Sequence, residues 1–250
     1  MNAVRAELRK IRSTRTLMAA PAVAVAFAVL AFGPVLALDS GGRARELDPS
    51  LLVDVARGPG FQVAIAMLLM GALATAGEFR HGTIAATLLV TPKRRDLLRA
   101  KACAVAIVAL VTTFVVEVVA LSIGTAYVRA HDLPSTASVA DVALTAGGVA
   151  VAAVLYGLAG VGLGLALRDQ TAAVALALAW VGIAEGVVPV VLRRPWLFRW
   201  LPGGAVDSLL GVADPPGDLL PAWAGALMLC AVAGALLAAA AATFTSRDVA

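Results

Sequence analysis

Apolar and polar positions along this chain fall into long blocks. Six stretches, 17–38, 61–77, 102–128, 142–167, 171–192 and 222–244, are almost wholly apolar, and short charged or Gly/Pro-bearing segments divide them. Each is long enough, at about 17 residues or more, to cross a bilayer as a helix. In hydrocarbon the backbone must satisfy its own hydrogen bonds, which leaves helices or a closed barrel. A barrel strand alternates apolar and polar residues, whereas every position from Ala22 to Leu30 is apolar. The pattern therefore predicts an all-α membrane protein with six transmembrane helices, forming one domain over residues 1–250.

The segments between the blocks carry their own patterns. Ahead of the first block, Val4, Leu8 and Ile11 recur at helical spacing, with Arg5, Arg9, Lys10 and Arg12 on the other faces. This predicts an amphipathic helix lying in the membrane interface, its basic residues at the headgroups. The first block is too long for the apolar core of a cleaved signal peptide, so it is expected to stay as a span. Arg168-Asp169-Gln170 is a tight turn that makes the fourth and fifth spans antiparallel neighbours. Gly157, Gly160, Gly162 and Gly164 line the fourth span, and the Gly160/Gly164 pair predicts close packing of helices within the chain. The link 193–221 holds Trp196, Phe198, Trp200, Pro202-Gly203-Gly204 and Pro215-Pro216. Its apolar pieces are too short to span, and two forms stay open: a re-entrant segment or a loop on the outer surface.

Composition reinforces the membrane reading. Hydrophobic residues make up 61% of the chain and charged ones 14%, against about 25% charged in soluble domains. Of the 20 Lys and Arg, thirteen fall on the side of the N-terminus and seven opposite, which places both termini in the cytoplasm. The net charge of +4 follows that sorting, so anionic headgroups or a cytoplasmic protein are the expected partners and nucleic acid is not. Cys103 and Cys230 have neither CxxC nor Cys/His spacing and are expected to be small buried apolar residues. With His81 and His131 the only histidines, no metal site is expected. No G-x-x-x-x-G-K-[ST] phosphate loop, G-x-S-x-G or H-E-x-x-H occurs. The chain is thus not expected to be an enzyme or to bind ATP by that route.

The segment 77–101, between the second and third blocks, is the most informative. Thr83 is placed to cap a short apolar helix over 84–90, Pro92 ends it, and the next helix begins by Asp96. An apolar patch rimmed by Arg and Lys at this face is a natural docking surface. Here the chain resembles the integral-membrane subunits of ABC-2 type transporters. Glu78, Gly82, Thr83, Leu88, Leu89, Thr91, Pro92, Arg95 and Lys101 follow that family's loop pattern in order. The basic start from Ala6 to Arg15, the proline-bearing link from Trp196 to Leu210 and the close Phe244–Val249 resemble it too. The resemblance implies a permease paired with a second copy or a related permease, and with two cytoplasmic ABC ATPase subunits that hold ATP and Mg. It implies that the short helix is a coupling helix touching the ATPase, with Glu78 and Arg80 tying its ends to neighbouring helices by charge pairing.

Glu117 and Glu185 stand alone in the third and fifth blocks. An intramembrane carboxylate is costly and is a functional candidate by default. Each lies sixteen residues, about 24 Å, beyond a charged block end, Lys101 or Asp169. They are candidates for a transport path, for anchoring the N-terminus of a re-entrant helix, or for simple pairing with a hydroxyl such as Ser122 or Thr125. The expectation is export of a hydrophobic or amphiphilic compound, such as an antibiotic, drug or lipid. A proton-coupled carrier using Glu117 and Glu185 is the alternative. A metal-dependent intramembrane enzyme would need more clustered acids than these two. Arg outnumbers Lys seventeen to three and Ala is abundant, which suggests a bacterial plasma membrane.

Overall fold

The computed structural model describes residues 2–37, 50–211 and 219–246. Of the seven Lys and Arg counted opposite the N-terminus, Arg43 and Arg45 lie outside the described residues, as do Pro215-Pro216 of the link and Arg247-Asp248-Val249 of the closing segment.

The described residues are helical, with no strand among them. In order they form α1 (Asn2–Ser13), α2 (Arg15–Ala37), α3 (Leu51–Arg57), α4 (Gly60–Arg80), α5 (Ile84–Val90), α6 (Arg94–Ala130), α7 (Val139–Leu167), α8 (Gln170–Ala179), a π-helical segment (Trp180–Val187), α9 (Val188–Val191), a 3-10 helix (Pro195–Trp200), α10 (Pro202–Leu210) and α11 (Ala222–Ser246). Five of the described helical runs are long and apolar enough to cross a membrane, and there are six if α1 and α2, bent by 75° at Thr14, count as one. We call the end of the bundle that holds α1 and α5 proximal, and the opposite end distal.

Several boundaries differ from the sequence reading, each for a local reason. The helix that contains the third apolar block starts before 102. It continues from Arg94 to Ala130 because nothing between Pro92 and His131 breaks it, so its ends project beyond the hydrocarbon. The fourth begins at Val139, since Ser138 and Asp141 form a reciprocal capping box, with the Ser138 hydroxyl accepting from the Asp141 N–H at 3.1 Å. It ends where Arg168 turns left-handed (φ 57°), and the Asp169 carboxylate caps α8 by accepting from the Ala172 N–H at 2.6 Å. The second is preceded by α3, which extends it distally. The fifth is not one α-helix. Pro189 has no N–H to offer the carbonyl of Glu185, four residues back, and the chain widens into a π-helix over Trp180–Val187.

Two apolar cores sit on either side of a central pair, α4 and α7. One gathers α1, α2 and α6, and the other α8, α10 and α11. Glycines set how closely the pair approaches. A Cβ at Gly71 would meet the Gly157 carbonyl, one at Gly160 the Leu68 carbonyl, and one at Gly164 the Thr75 hydroxyl and the Ala72 carbonyl. The Gly160/Gly164 pair thus packs two spans of this chain together, as expected. Cys103 and Cys230 depart from expectation: both lie on exposed faces, of α6 and α11, where an apolar thiol suits contact with lipid.

The link after α9 folds back into the bundle. Pro202 opens α10 and Gly211, left-handed at φ 67°, ends it, the usual asymmetry of helix ends. Its inner face is buried against three spans. Leu210 covers Gly60, the Leu209 carbonyl abuts Gly148, and the Ala205 carbonyl abuts Gly225. α10 thus packs against the neighbouring helices along its inner face.

Candidate functional site

At the proximal end, four charged side chains from three helices converge. Glu7 and Lys10 come from α1, Glu78 from the last turn of α4 and Lys101 from α6. The Lys101 ammonium donates to Glu7 Oε2 at 2.9 Å and pairs with Glu78 Oε1 at 2.8 Å. Lys10 donates to Glu7 Oε1 and to Glu78 Oε1, both at 2.8 Å, and to the Thr87 hydroxyl of α5 at 3.0 Å. Two carboxylates and two ammoniums thus share one site with no net charge. Lys101 is only 2% exposed, and a buried ammonium persists only with such compensation. Burial alone would favour neutral Glu7, yet Lys101 and Lys10 outweigh it and hold the carboxyl below its ordinary value of 4.5. Burial likewise opposes charge on Lys10, and its bonds to Glu7 and Glu78 raise it above its ordinary 10.5.

This cluster fastens α5 in place. Through Thr87, Lys10 binds the middle of α5, while Ile84 and Leu88 pack against Leu97 of α6. The opposite face is bare, with Leu89 at 86% and Val90 at 83% exposed. A groove of about 1180 Å3 runs between α1 and α5, lined by Ala3, Ala6, Lys10, Thr87, Val90 and Lys93 among others. Arg95, Pro92 and Lys93 stand exposed at its edge.

The residues singled out from sequence divide clearly. Glu78, Lys101 and Lys10 are brought together. Lys10 therefore does not join the outward basic face with Arg5, Arg9 and Arg12, which are exposed; it turns inward because two carboxylates wait there. Arg80 is exposed and makes no ion pair with a described residue, so of the expected pair only Glu78 ties this element to its neighbours. Thr83 stands at the N-cap of α5, but its hydroxyl lies 3.5 Å from the Glu78 carbonyl, as a donor, and accepts nothing from the helix. Gly82 adopts the left-handed turn (φ 64°) that joins α4 to α5. Leu88 faces inward and Leu89 outward. Sequence reasoning missed Glu7 and Thr87. Glu7 left a signal: it is the only acid in the first 38 residues.

The two intramembrane glutamates are not alike. Glu117, 5% exposed on α6, has no hydrogen-bond partner for either oxygen among the described residues. The hydroxyls proposed to pair with the glutamates are spent on their own helix, Ser122 donating to the Val118 carbonyl and Thr125 to the Leu121 carbonyl. Glu185 lies within the π-helical segment and accepts from Trp180 Nε1 at 2.7 Å. Its other oxygen faces the Gly203 backbone in the first turn of α10. A carboxylate there meets the positive end of the helix dipole, which places Glu185 at the N-terminus of α10.

Among the described residues no cluster of three or more His, Cys, Asp or Glu is placed to hold a metal. No family model matches the chain, and no curated protein matches it.

Proposed function

We propose that this chain is the membrane-spanning permease subunit of an ATP-driven transporter of the ABC-2 type. In this reading it sits in a bacterial plasma membrane with both termini in the cytoplasm, pairs with a second permease, and exports a hydrophobic or amphiphilic compound. ATP and Mg belong to two separate ATPase subunits. The observation that carries the reading is the fastening of α5. A two-turn helix is tied by a hydrogen bond from Lys10 to Thr87, and by Ile84 and Leu88 packing on Leu97, to a set of buried ion pairs that joins α1, α4 and α6, yet it presents bare Leu89 and Val90 outward. A surface helix with no partner has no use for such an apolar face, and a soluble subunit pressing on it would move three membrane helices together.

The test is capture of tagged protein from native membranes in mild detergent. The wild type is expected to bring down a Walker-motif ATPase, and Leu89→Glu with Val90→Glu to lose it while keeping its own thermal unfolding unchanged. Both side chains are exposed, so the fold has no stake in them. The partnerless carboxyl of Glu117 favours a second reading, a proton-coupled carrier using Glu117 and Glu185. Uptake or efflux in vesicles driven by a pH gradient without ATP, and lost in Glu117→Gln, would replace the first reading with the second.

A further inference from the structure

We infer that the groove between α8 and α11 is a binding site for an anionic phospholipid, with one acyl chain in the groove and the phosphate on the arginines at its distal mouth. The groove has a volume of about 610 Å3, within the range of small-molecule sites, about 300–1,000 Å3. Leu176 and Trp180 form one wall, Met228 and Val232 the other, and Leu68 and Leu155 of the central pair form the floor. Its lining is almost wholly apolar, so a headgroup is excluded from it and a hydrocarbon chain is favoured. It opens on the side of the bundle where Leu176, Trp180 and Leu227 are exposed, the surface that a membrane would cover with acyl chains.

Charge at the mouth selects among lipids. Trp200 and Leu201 close the distal end of the groove. Next to them the Arg199 guanidinium stacks 5.6 Å from the Trp200 ring centroid, and its Nε is buried with no hydrogen-bond partner among the described residues. Arg193 and Arg194 are exposed just before the same 3-10 helix, and none of the three makes an ion pair with a described residue. No acid occurs between Glu185 and Asp207, and Glu185 is buried against Trp180. Three cations thus stand where the span ends, about 33 Å along it from Gln170 at 1.5 Å per residue, which is headgroup depth. Exposed Trp196 and Trp200 on the same element fit that depth. Basic side chains at a helix end beside a cleft between spans are what phosphate headgroups recognise.

The inference stands apart from the permease reading, and its test contains no ATPase. Purified protein is placed in phosphatidylcholine vesicles doped with phosphatidylglycerol carrying a diazirine in one acyl chain, or with phosphatidylcholine carrying the same chain. Labelled residues are mapped by mass spectrometry after irradiation. The phosphatidylglycerol probe should label Leu176, Met228 and their groove neighbours at least roughly fivefold more than the phosphatidylcholine probe. That excess should vanish in Arg193→Gln with Arg194→Gln, which changes exposed residues only and leaves Arg199 in place. Ala235→Trp, on the exposed lip of the groove, should lower labelling by both probes without altering thermal unfolding. Equal labelling by the two probes, unchanged by the arginine substitutions, would overturn the inference in favour of any annular lipid. Absence of groove label from both probes would overturn it too, and disulfide cross-linking through Cys230 of two copies would then assign the groove to a second chain.

Discussion

Lys101 and Glu117 lie on the same helix, sixteen residues apart, and both are almost fully buried, yet their surroundings are opposite. Lys101 has two carboxylates within 2.9 Å; Glu117 has no hydrogen-bond partner for either oxygen among the described residues. The first belongs to a neutral set of four charges drawn from three helices and bonded to a fourth. The second is a buried acid with no cation paired to it among the described residues. Burial by itself therefore says little about a charge. Its partners decide whether removal breaks the structure or relieves it. A paired charge is a joint, and an unpaired one is a place where a proton or a ligand must supply what the protein does not.

The contrast is sharpest in single substitutions. Lys101→Met leaves Glu7 and Glu78 facing each other with one ammonium fewer, and is expected to cost about 3–5 kcal/mol, the penalty for breaking a buried pair. Denaturant unfolding in detergent would read it, and a loss below about 1 kcal/mol would mean that solvent, rather than Lys101, neutralises the site. Glu185→Ala should cost less, about 1–3 kcal/mol, because it orphans the Trp180 N–H and frees the start of α10. Hydrogen exchange should rise first in Pro202–Leu210, while Glu185→Gln, which keeps an acceptor, should fall between the two. Smallest is Glu117→Leu, expected to leave stability within about 1 kcal/mol of the wild type or to raise it, since no donor is orphaned. A large loss there would collapse the distinction between the two charges.

Acidity offers a graded form of the same comparison. Glu7 is held below its ordinary 4.5, so the stability it lends is fully present above pH 4.5 and is lost as pH falls through the lower folded value. Lys10 is held above its ordinary 10.5, so its share is present below pH 10.5 and is lost as pH rises through the higher folded value. Protection of α1 amides, taken relative to their intrinsic exchange rate at each pH, should accordingly be greatest between these limits and fall at both extremes. In Glu7→Gln the acid limb should flatten.

How much of this was legible in sequence depends on the range of the interaction involved. The spans could be read because apolar runs report burial in lipid residue by residue, and the Gly160/Gly164 contact because two small residues one turn apart leave few uses. Glu78 and Lys101 were visible as the ends of one loop. The link from Lys101 to Glu7 was not, since it crosses 94 positions and nothing local marks it beyond an acid alone among bases. The π-helical widening at Trp180 was equally hidden. Its residues are as apolar as any α-helix in the bundle, and only Pro189, nine positions on, betrays a missing donor. The packing of α10 needed three dimensions, because glycines at 60, 148 and 225 take their meaning from one another.

The order in which the charges are made has a bearing on how the molecule comes into being. Glu7 and Lys10 are synthesised long before Lys101, with two apolar spans in between. During that interval Glu7 has Lys10, three residues on, but not Lys101, so the place of α1 beside α4 is provisional. When the start of α6 emerges, a single ammonium closes the set. The proximal end of the protein therefore sets only after the start of α6 has been made, and an interrupted chain ending before that point would lack the ammonium that fixes the posture of α1.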